Sequence, residues 1–515
     1  MTKGKQHKRG ANVGMRLMLT GFFILLQIAI VLLAVYFFAG RTIWIYSGLE
    51  IISIIIVIYI LSKKSNPSYK ITWIVYILLF PLVGGLVYLF WGGGRVFPHV
   101  TRKMKEASEG SEEVLKQNEE VKNHLLYDDR IHFRQSNYLS NASGFPVYDN
   151  TVTQYLSPGE KAFPVILEEL KKAESYIFLE FFILAEGEMW DEIFAVLKER
   201  RANGVEVKVI FDDFGSITRQ YRGFVSRLEA AGIQVSVFNK IRPSVDIFMN
   251  NRNHRKIIVI DGKVGFTGGI NIGDEYINRL PRFGRWMDCC IMLKGKAVDS
   301  LTTMFLSMWG FCVKQKQDFK KYVASYSCKS EGKNGYVQPY CDGPVNKNNP
   351  AEGIYIQLLN TAQRYVYIAT PYLIVDSTMM RELTIAASSG IDVRIITPGH
   401  PDKWYVHPVT QSSYDELLAA GVRIYEYTPG FIHSKIFVSD DRVATIGTVN
   451  MDYRSFFFHF ECGVWVCSSD TVLKTRDHIR EIMADCTEIK LDKWRKRPWS
   501  TKFKQIILKL FAPFM

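Results

Sequence analysis

Two short stretches of this chain carry the same chemically active residue types at the same spacing. They span residues 254–261 and 433–440, and both read His-x-Lys-x-x-x-x-Asp. Each is followed at the same offset by a turn of small residues that ends in an asparagine, at Asn271 and at Asn450. All matched positions lie 179 residues apart. A single pattern of this kind carries little information, whereas two copies with matched spacing are hard to obtain by chance.

The residue types in these copies indicate chemistry at phosphorus. On a strand, residues i and i+2 share a face, so His254 points the same way as Lys256. The same holds for His433 and Lys435. If the copies pack as pseudo-twofold mates, two histidines, two lysines and two asparagines converge on one pocket. Lysine and asparagine suit a phosphate group, while one histidine can attack phosphorus and the other can protonate the leaving oxygen. Because the lysines supply positive charge, we expect neither a metal ion nor a cofactor.

A carboxylate follows each motif at a similar distance. Asp288 lies 34 residues after His254, and Glu461 lies 28 residues after His433. A carboxylate that accepts the Nδ1 hydrogen of a histidine fixes the tautomer and leaves Nε2 free to react. These two acids are therefore candidates for orienting the two histidines. The alternative is a surface aspartate and a surface glutamate.

The aspartates that close the two motifs, Asp261 and Asp440, end the predicted strands. Their neighbours Gly262 and Asp441 are typical of turns, so a turn-forming or salt-bridging role suits both aspartates better than a chemical one. They remain among the candidate residues because they complete the repeated pattern.

The doubled motif resembles that of the phospholipase D superfamily of phosphodiesterases. From about residue 45 to the end, the order of parts is similar to that of the bacterial cardiolipin synthases. The resemblance implies a catalytic set made of both triplets, namely His254, Lys256, Asp261, His433, Lys435 and Asp440. It also implies that Asn271 and Asn450 bind substrate phosphate, and that the two acids orient the histidines. The implied reaction joins two phosphatidylglycerol molecules into cardiolipin and releases glycerol. It proceeds through a phosphohistidine on the first motif.

The chain from about residue 135 onwards repeats more than the motifs. Segments of strand type match between the halves at residues 176–180 and 365–369, and again at 204–210 and 390–396. Alternation of such strands with helical patterns predicts an α/β sheet covered by helices. We therefore predict an α/β fold made of two phospholipase D-like sandwich repeats, residues 135–330 and 331–490, that form a pseudo-twofold pair.

The N-terminal part of the chain, residues 1–100, is far more apolar. It contains three segments, 17–38, 43–61 and 71–91, that are each long enough to cross a bilayer. We expect two or three transmembrane helices and a multi-pass protein of the cell membrane. Basic residues flank these segments on both sides and leave open which side holds the catalytic part. Residues 101–134 are rich in lysine and glutamate and are predicted to be a charged linker or a surface helix.

The last part of the chain, residues 491–515, is basic and aromatic. From Lys502 onwards, apolar residues recur at the spacing of an amphipathic helix. Two interpretations stay open for this tail. It is either a helix docked on the body of the protein, or a helix that lies in the lipid interface near anionic headgroups.

The net charge of +13 fits nucleic acid, an anionic membrane surface or a phosphate-bearing substrate. The apolar segments favour lipid. Together with the family resemblance, which implies phosphatidylglycerol, this makes that lipid, other anionic phospholipids and the bilayer the expected partners, and no nucleic acid is expected. A membrane-bound phospholipase D-type hydrolase or nuclease is the alternative, while the intact second motif argues against a non-catalytic scaffold. The sequence contains no Cys-x-x-Cys pattern, and the remaining histidines form no evident ligand cluster, so no metal site is expected.

Overall fold

The computed structural model describes residues 43–63, 66–80, 98–241, 250–323, 335–346 and 348–514, together with isolated positions between residues 25 and 92. Most of the first predicted apolar segment, 17–38, and most of residues 81–97 lie outside the described residues. Within the described ranges, no helix combines the length and hydropathy that a membrane span requires.

The described ranges contain nineteen strands, most of them in the two halves that repeat. In chain order they are β1 Thr151–Leu156, β2 Tyr176–Phe181, β3 Glu206–Asp212, β4 Gln234–Phe238, β5 Lys256–Ile260, β6 Val264–Gly268, β7 Arg285–Met287, β8 Cys290–Gly295, β9 Tyr336–Asp342, β10 Tyr365–Ala369, β11 Leu373–Ile374, β12 Asp392–Pro398, β13 Arg423–Tyr427, β14 Gly430–Ile432, β15 Ile436–Ser439, β16 Val443–Gly447, β17 Met451–Asp452, β18 Glu461–Cys467 and β19 Cys486–Ile489.

Helices precede, connect and follow these strands. Those described are α1 Ile43–Ser62, α2 Pro67–Leu79, α3 Pro98–Ser108, α4 Glu119–Asp128, α5 Arg130–Ser143, α6 Gly159–Lys171, α7 Glu188–Ala202, α8 Asp213–Ser216, α9 Phe224–Ala230, α10 Val298–Val313, α11 Pro350–Thr361, α12 Ser377–Ser388, α13 Val406–Ser412, α14 Tyr414–Ala419, α15 Tyr453–Phe457, α16 Asp470–Ala484, α17 Leu491–Arg495 and α18 Trp499–Lys509.

The two large sheets have the same topology. The first has the order β1-β8-β6-β5-β2-β3-β4, and the second has β9-β18-β16-β15-β10-β12-β13-β19. Strand by strand the orders are equivalent, except that β19 adds an edge to the second sheet. The strand that follows each histidine lies in the middle. β5 runs antiparallel between β2 and β6, and β15 does the same between β10 and β16. The predicted α/β fold of two repeats is confirmed.

The central strands are mostly apolar because both of their faces are covered, and their charged exceptions are Glu180 in β2 and Lys256 at the start of β5. Every residue of β2, β5 and β10 is buried. Strands that are buried on both faces have near-continuous apolar sequences, as residues 257–260 do. This packing makes the strands behind the two motifs rigid supports for the side chains at their ends.

The two halves share one hydrophobic core. Side chains from both large sheets contribute to it, together with α10 and α16. Within this core the Phe178 and Phe305 rings stack with their centroids 4.5 Å apart. Separate cores cover the outer faces, with α6, α7 and α9 on the first sheet and α11, α12 and α14 on the second. The halves therefore form a single body with the motif strands on either side of its centre.

Helices α2 to α5 pack on this body, and α1 packs against α2. Met104 of α3 joins the shared core, and Leu125 of α4 joins the core of the second half. Between α1 and α2, the Asn66 side chain donates a 2.8 Å hydrogen bond to Asp376. The Tyr69 ring of α2 lies 6.1 Å from that of Phe458. The N-terminal helices thus contact the segment that leads into β18.

The C-terminal helix α18 has one docked face and one exposed face. Gln505 is buried, and Ala512 just beyond the helix joins a small core with residues of α13 and α15. On the other face, Trp499, Phe503 and Ile506 are 74%, 48% and 62% exposed. Docking therefore occupies only part of the amphipathic stripe.

Candidate active site

Each motif is held in place by the opposite half of the chain. The backbone N–H of His254 donates to the carbonyl of Phe460 at 2.9 Å, and that of His433 donates to the carbonyl of Met287 at 2.7 Å. On the second motif this contact continues a short parallel pairing of β7 with β14. The two histidines therefore stand at the seam between the halves, just before their central strands begin.

The two acids expected to orient the histidines contact them across this seam. Glu461 Oε1 and Oε2 lie 2.9 and 3.0 Å from His254 Nδ1. Asp288 Oδ2 lies 2.7 Å from His433 Nδ1. A carboxylate only accepts hydrogen bonds, so both Nδ1 atoms carry the hydrogen and both Nε2 atoms keep their lone pair. Each histidine is paired with the acid of the other repeat, so neither repeat holds a complete site alone.

The two motif lysines are also brought together, and both are almost completely buried. Each Nζ donates to the carbonyl of the histidine two residues before it, Lys256 to His254 and Lys435 to His433. Burial lowers the pKa of Lys256 to about 7, against the opposing attraction of Glu461. It lowers the pKa of Lys435 to about 8, against that of Asp288. Both lysines of the site therefore have pKa values near neutral pH, so each ammonium group loses its proton more readily than an exposed lysine does.

Burial and the lysines keep both histidines neutral. Burial, followed by the charges of Lys256 and Lys435, holds the pKa of His254 well below its usual range. Burial and Lys435 lower the pKa of His433 to about 4, although Asp288 opposes this shift. Burial would raise the pKa of Asp288, but the neighbouring His433 and Lys435 outweigh it and lower the pKa. A neutral imidazole with a free Nε2 is the form that can attack phosphorus.

The two motif asparagines lie in the same buried region and differ in their partners. Asn271 accepts a 3.0 Å hydrogen bond from the backbone N–H of Ile183 and donates to the hydroxyl of Tyr276 at 2.8 Å. Asn450 donates to Asp452 at 3.1 Å, and its Oδ1 has no hydrogen-bond partner among the described residues. Each amide nitrogen carries a second hydrogen that these contacts leave for a phosphate oxygen.

The closing aspartates are at the opposite ends of the motif strands from the histidines and act on the backbone. Asp261 accepts from the N–H groups of residues 174, 175 and 176 at 2.8–2.9 Å. Asp440 accepts in the same way from residues 363, 364 and 365. Each aspartate therefore fixes the start of the adjacent strand, β2 or β10. The two copies of the motif thus share this structural contact as well as their histidine and lysine.

A third histidine, His459, lies in the site and was missed in the sequence. Its ring centroid is 5.5 Å from that of His254, and its Nδ1 is 3.7 Å from Glu461 Oε1. Burial lowers its pKa to about 3. Neither ring nitrogen has a hydrogen-bond partner in the described part of the chain. His459 precedes Glu461 by two residues, as Trp286 precedes Asp288, so the equivalent positions of the two repeats hold different residue types and no repeated pattern marked the histidine.

The expectation that the remaining histidines form no ligand cluster is wrong for two of them. The ligand atoms of His254, His459 and Glu461 all lie within 4.8 Å of one another, and so do those of Asp129, His132 and Cys467. Folding brings together groups that are far apart in the sequence, so no spacing rule could detect them.

The turns after the motifs also differ between the halves. Thr448 donates its hydroxyl hydrogen to Glu461, whereas the equivalent residue of the first half is Gly269. A Cβ atom at residue 269 would lie 2.0 Å from Asp288 Oδ1. The first half therefore requires glycine for the close approach of its acid, and the second half has a hydroxyl donor in its place.

The fold and this geometry define the class of protein. Two α/β repeats place two histidines, each with a free Nε2 and an acid on Nδ1, beside two buried lysines. Such a site can make a covalent phosphohistidine and protonate a leaving alcohol. This is an enzyme of the two-repeat phospholipase D type that acts on phosphodiesters.

Comparison with known proteins narrows the class. A family profile described as the PLD-like domain of cardiolipin synthase matches residues 166–309 and 355–483. A second profile, described as the N-terminal part of phospholipase D-nuclease proteins, matches residues 51–93.

Individual proteins match over most of the chain. The cardiolipin synthase of Geobacillus thermodenitrificans is 34% identical over 486 residues, which cover 93% of this chain and 95% of that protein. Cardiolipin synthase 2 of Bacillus anthracis is 33% identical over 460 residues, 88% of each protein. An uncharacterised protein of Streptococcus mutans is 40% identical over 480 residues, 89% of this chain and 99% of that protein. The chain belongs to the cardiolipin synthase family of the phospholipase D superfamily.

A solved structure supports the fold. The phosphatidylserine synthase of Haemophilus influenzae superposes with a TM-score of 0.54 at 16% identity, covering 74% of this chain and 97% of that one.

Proposed function

We propose that this protein is a cardiolipin synthase, a phosphatidyltransferase that joins two phosphatidylglycerol molecules and releases glycerol. The observation that carries the proposal is the pair of crossed histidine–carboxylate contacts, Glu461 with His254 and Asp288 with His433. They give two buried histidines with free Nε2 atoms beside two lysines. Family membership supports phosphatidyl transfer, and the covalent route follows from the site.

In the first half-reaction, the Nε2 lone pair of His254 attacks the phosphorus of one phosphatidylglycerol. A nitrogen–phosphorus bond forms, and the bond from phosphorus to the headgroup glycerol oxygen breaks. His433 gives its Nε2 proton to that oxygen. His433 is neutral in the empty site, and the arriving phosphodiester anion raises its pKa, so proton uptake accompanies substrate binding.

In the second half-reaction, a hydroxyl of another phosphatidylglycerol attacks the phosphatidyl-His254. His433 is now neutral and accepts the hydroxyl proton. The nitrogen–phosphorus bond breaks, its electron pair returns to His254 Nε2, and cardiolipin leaves. The protonation states of both histidines are then those with which the first half-reaction began, so the enzyme is ready for another cycle.

Lys256 and Lys435 stabilise the charge that develops on the non-bridging oxygens, together with the free amide hydrogens of Asn271 and Asn450. Both lysines are buried, so the interaction is weakly screened. Their lowered pKa values in the empty site rise when the phosphate anion binds. Asp261 and Asp440 contribute by fixing the strand ends.

We further propose that residues 1–100 hold the enzyme in the cell membrane through two or three spans and that α18 lies in the lipid interface. Two observations support this. Ile51, Ile54, Ile55 and Ile58 of α1 are all more than half exposed. The Tyr76 ring of α2 lies 5.8 Å from that of Phe511, so α2 and the segment after α18 are in contact. Lys502, Lys504 and Lys509 of α18 suit anionic headgroups.

The interfacial role of α18 is tested by deleting residues 502–515. The truncated enzyme should lose activity on mixed anionic bilayers and keep it in detergent micelles. Equal loss in both systems would assign the helix to packing on the protein alone.

The reaction is tested with the purified protein, phosphatidylglycerol as the only phospholipid, and EDTA. Cardiolipin and glycerol should form in equal amounts, and added glycerol should drive cardiolipin back to phosphatidylglycerol, because both directions share one intermediate. Phosphatidic acid as the sole product would instead identify a hydrolase. Loss of activity in EDTA would contradict the metal-independent histidine mechanism.

A further inference from the structure

His459 has no assigned role in the reaction, and its position is chemically unusual. It is 8% exposed, and neither ring nitrogen finds a hydrogen-bond partner among the described residues. Leaving buried polar atoms unpaired costs about 1–3 kcal/mol each, so such groups in native proteins generally have a ligand or a function. The ring is adjacent to His254 and Glu461, which form one of the two crossed pairs.

The three side chains have the spacing of a transition-metal site. Zinc binds imidazole nitrogen and carboxylate oxygen at about 2.0–2.2 Å in a tetrahedron, which places neighbouring ligand atoms roughly 3.3 Å apart. Here His254 Nδ1 and Glu461 Oε1 are 2.9 Å apart, and His459 Nδ1 and Glu461 Oε1 are 3.7 Å apart. These two separations bracket the tetrahedral value, and the ligand atoms of the two histidines lie within 4.8 Å of each other, so side-chain rotations can bring all three ligands to one ion.

The other half of the site has only two such groups. His433 and Asp288 repeat the arrangement of His254 and Glu461, but the position equivalent to His459 is Trp286, whose ring centroid is 5.4 Å from that of His433. An indole N–H only donates and cannot ligate a metal ion. A three-ligand site is therefore built on the first motif alone.

We propose that His254, His459 and Glu461 bind a divalent transition-metal ion of the zinc class and that this binding inhibits the enzyme. The inhibitory part rests on the proposed function, in which His254 is the nucleophile. The binding part does not depend on it.

Inhibition follows from the tautomer of His254. In the active enzyme, Nδ1 carries the hydrogen that is donated to Glu461, and Nε2 holds the lone pair that attacks phosphorus. A metal ion at this position takes a lone pair from Nδ1, so that hydrogen bond is lost and the proton moves to Nε2. The imidazole stays neutral, but its attacking nitrogen is now an N–H. The ion therefore inactivates the nucleophile without approaching the substrate.

The test uses the full-length protein stripped with a chelator, and ZnCl₂ as the probe. Cardiolipin formation should fall saturably with zinc and recover with EDTA. In His459→Phe and in His459→Gln, each measured against its own metal-free rate, half-inhibition should require at least about tenfold more zinc, the low end of the loss seen when even an outer partner of a metal site is removed. Trp286→Phe is the matched control and should keep the wild-type zinc sensitivity.

Binding is measured separately and without lipid, by calorimetry with zinc and by the visible absorption of added Co²⁺. His459→Phe should bind one fewer ion than the wild type, while Asp129, His132 and Cys467 are unchanged in both proteins. An unchanged number of ions would overturn the proposed site. One fewer ion bound, with zinc inhibition unchanged, would overturn the inhibitory role and leave the reaction mechanism unaffected. If neither His459 variant turns over lipid, the number of metal ions bound per protein still tests the proposed site.

Discussion

The two halves of the active site have nearly the same backbone and different surroundings. In the first, His254 is paired with Glu461, which also accepts from Thr448 and lies near His459. In the second, His433 is paired with Asp288, and its ring lies 5.4 Å from Trp286 and 5.6 Å from Tyr276. His254 thus has one close aromatic ring, Phe182 at 5.0 Å between centroids, besides its polar neighbours, whereas His433 has a tryptophan and a tyrosine.

We expect this difference to suit the two histidines to the separate chemical roles proposed for them. Aromatic faces stabilise a cation within about 6 Å, and tryptophan does so best, so the surroundings of His433 favour its imidazolium form once a phosphate has entered. His254 has a phenylalanine ring beside it instead, and its acid accepts from a threonine hydroxyl, which suits a neutral imidazole with a fixed tautomer. We therefore expect the different neighbours of these two equivalent positions to favour His254 as the nucleophile and His433 as the acid.

The largest expected effect is the loss of either histidine. His254→Ala and His433→Ala should each lower cardiolipin formation at least about 10³-fold, because nucleophile and general acid are both required. The roles of the two histidines can be distinguished with a phosphatidyl ester of p-nitrophenol as substrate, because its leaving group needs no protonation. On that substrate His433→Ala should recover activity and accumulate a phosphatidyl adduct on His254, detectable by mass spectrometry, whereas His254→Ala should stay inactive.

The opposite rescue pattern would exchange the two roles. More than about a tenth of normal activity in either alanine variant on phosphatidylglycerol would contradict the two-histidine scheme altogether. Thermal unfolding of each variant, compared with the wild type, controls for misfolding.

The next effect concerns the lysines, for which the halves should be alike. Lys256→Ala and Lys435→Ala should each cost on the order of 100-fold in kcat/KM, the typical loss of one donor to a developing oxyanion. Both lysines act as cations and have lowered pKa values of about 7 and 8 in the empty site. The measured kcat/KM should therefore fall as pH rises through this range. A rate that is flat from pH 7 to 9 would show that the lysine charges do not matter.

The crossed acids should give a smaller effect that again distinguishes the halves. Glu461→Gln and Asp288→Asn should each reduce kcat about 10–100-fold, the usual cost of losing the partner that orients a histidine. If the pairs are crossed as the structure shows, activated p-nitrophenyl ester should rescue Asp288→Asn, which affects the acid His433. It should not rescue Glu461→Gln, which affects His254. Rescue of the glutamine variant alone would indicate pairing within each repeat.

Much of this comparison was accessible from the sequence, because it depends on local spacing. The motifs, the two lysines and the acids after them recur at matched offsets, and the continuous apolar runs behind them predicted buried central strands. The doubled α/β architecture followed from the same repetition.

The crossing of the acids was not accessible, because Asp288 and Glu461 follow their own histidines in the chain. Only the docking of the two halves brings each one to the other histidine. His459 was missed for a related reason: it belongs to no repeated pattern, and the equivalent residue of the first repeat is a tryptophan. Its significance depends on a distance to Glu461 that exists only in the folded protein.

The smallest expected effect tests the hydroxyl that only the first-motif pair has. Thr448 donates to Glu461, and Cys289 N–H donates to Asp288 at 2.8 Å in the other half. Thr448→Val keeps the shape of the side chain and removes its hydrogen bond to Glu461 together with the one it accepts from the Cys462 backbone N–H. The bond to Glu461 is worth ~1 kcal/mol, so kcat should fall about fivefold. Activated ester should not restore the rate, because the bond supports the acid of His254. Thr448→Ser, which keeps the hydroxyl, is the control and should retain most of the rate. If the valine variant responds to activated ester as Asp288→Asn does, Thr448 acts on the leaving-group side, and the division of roles between the two halves fails at this residue.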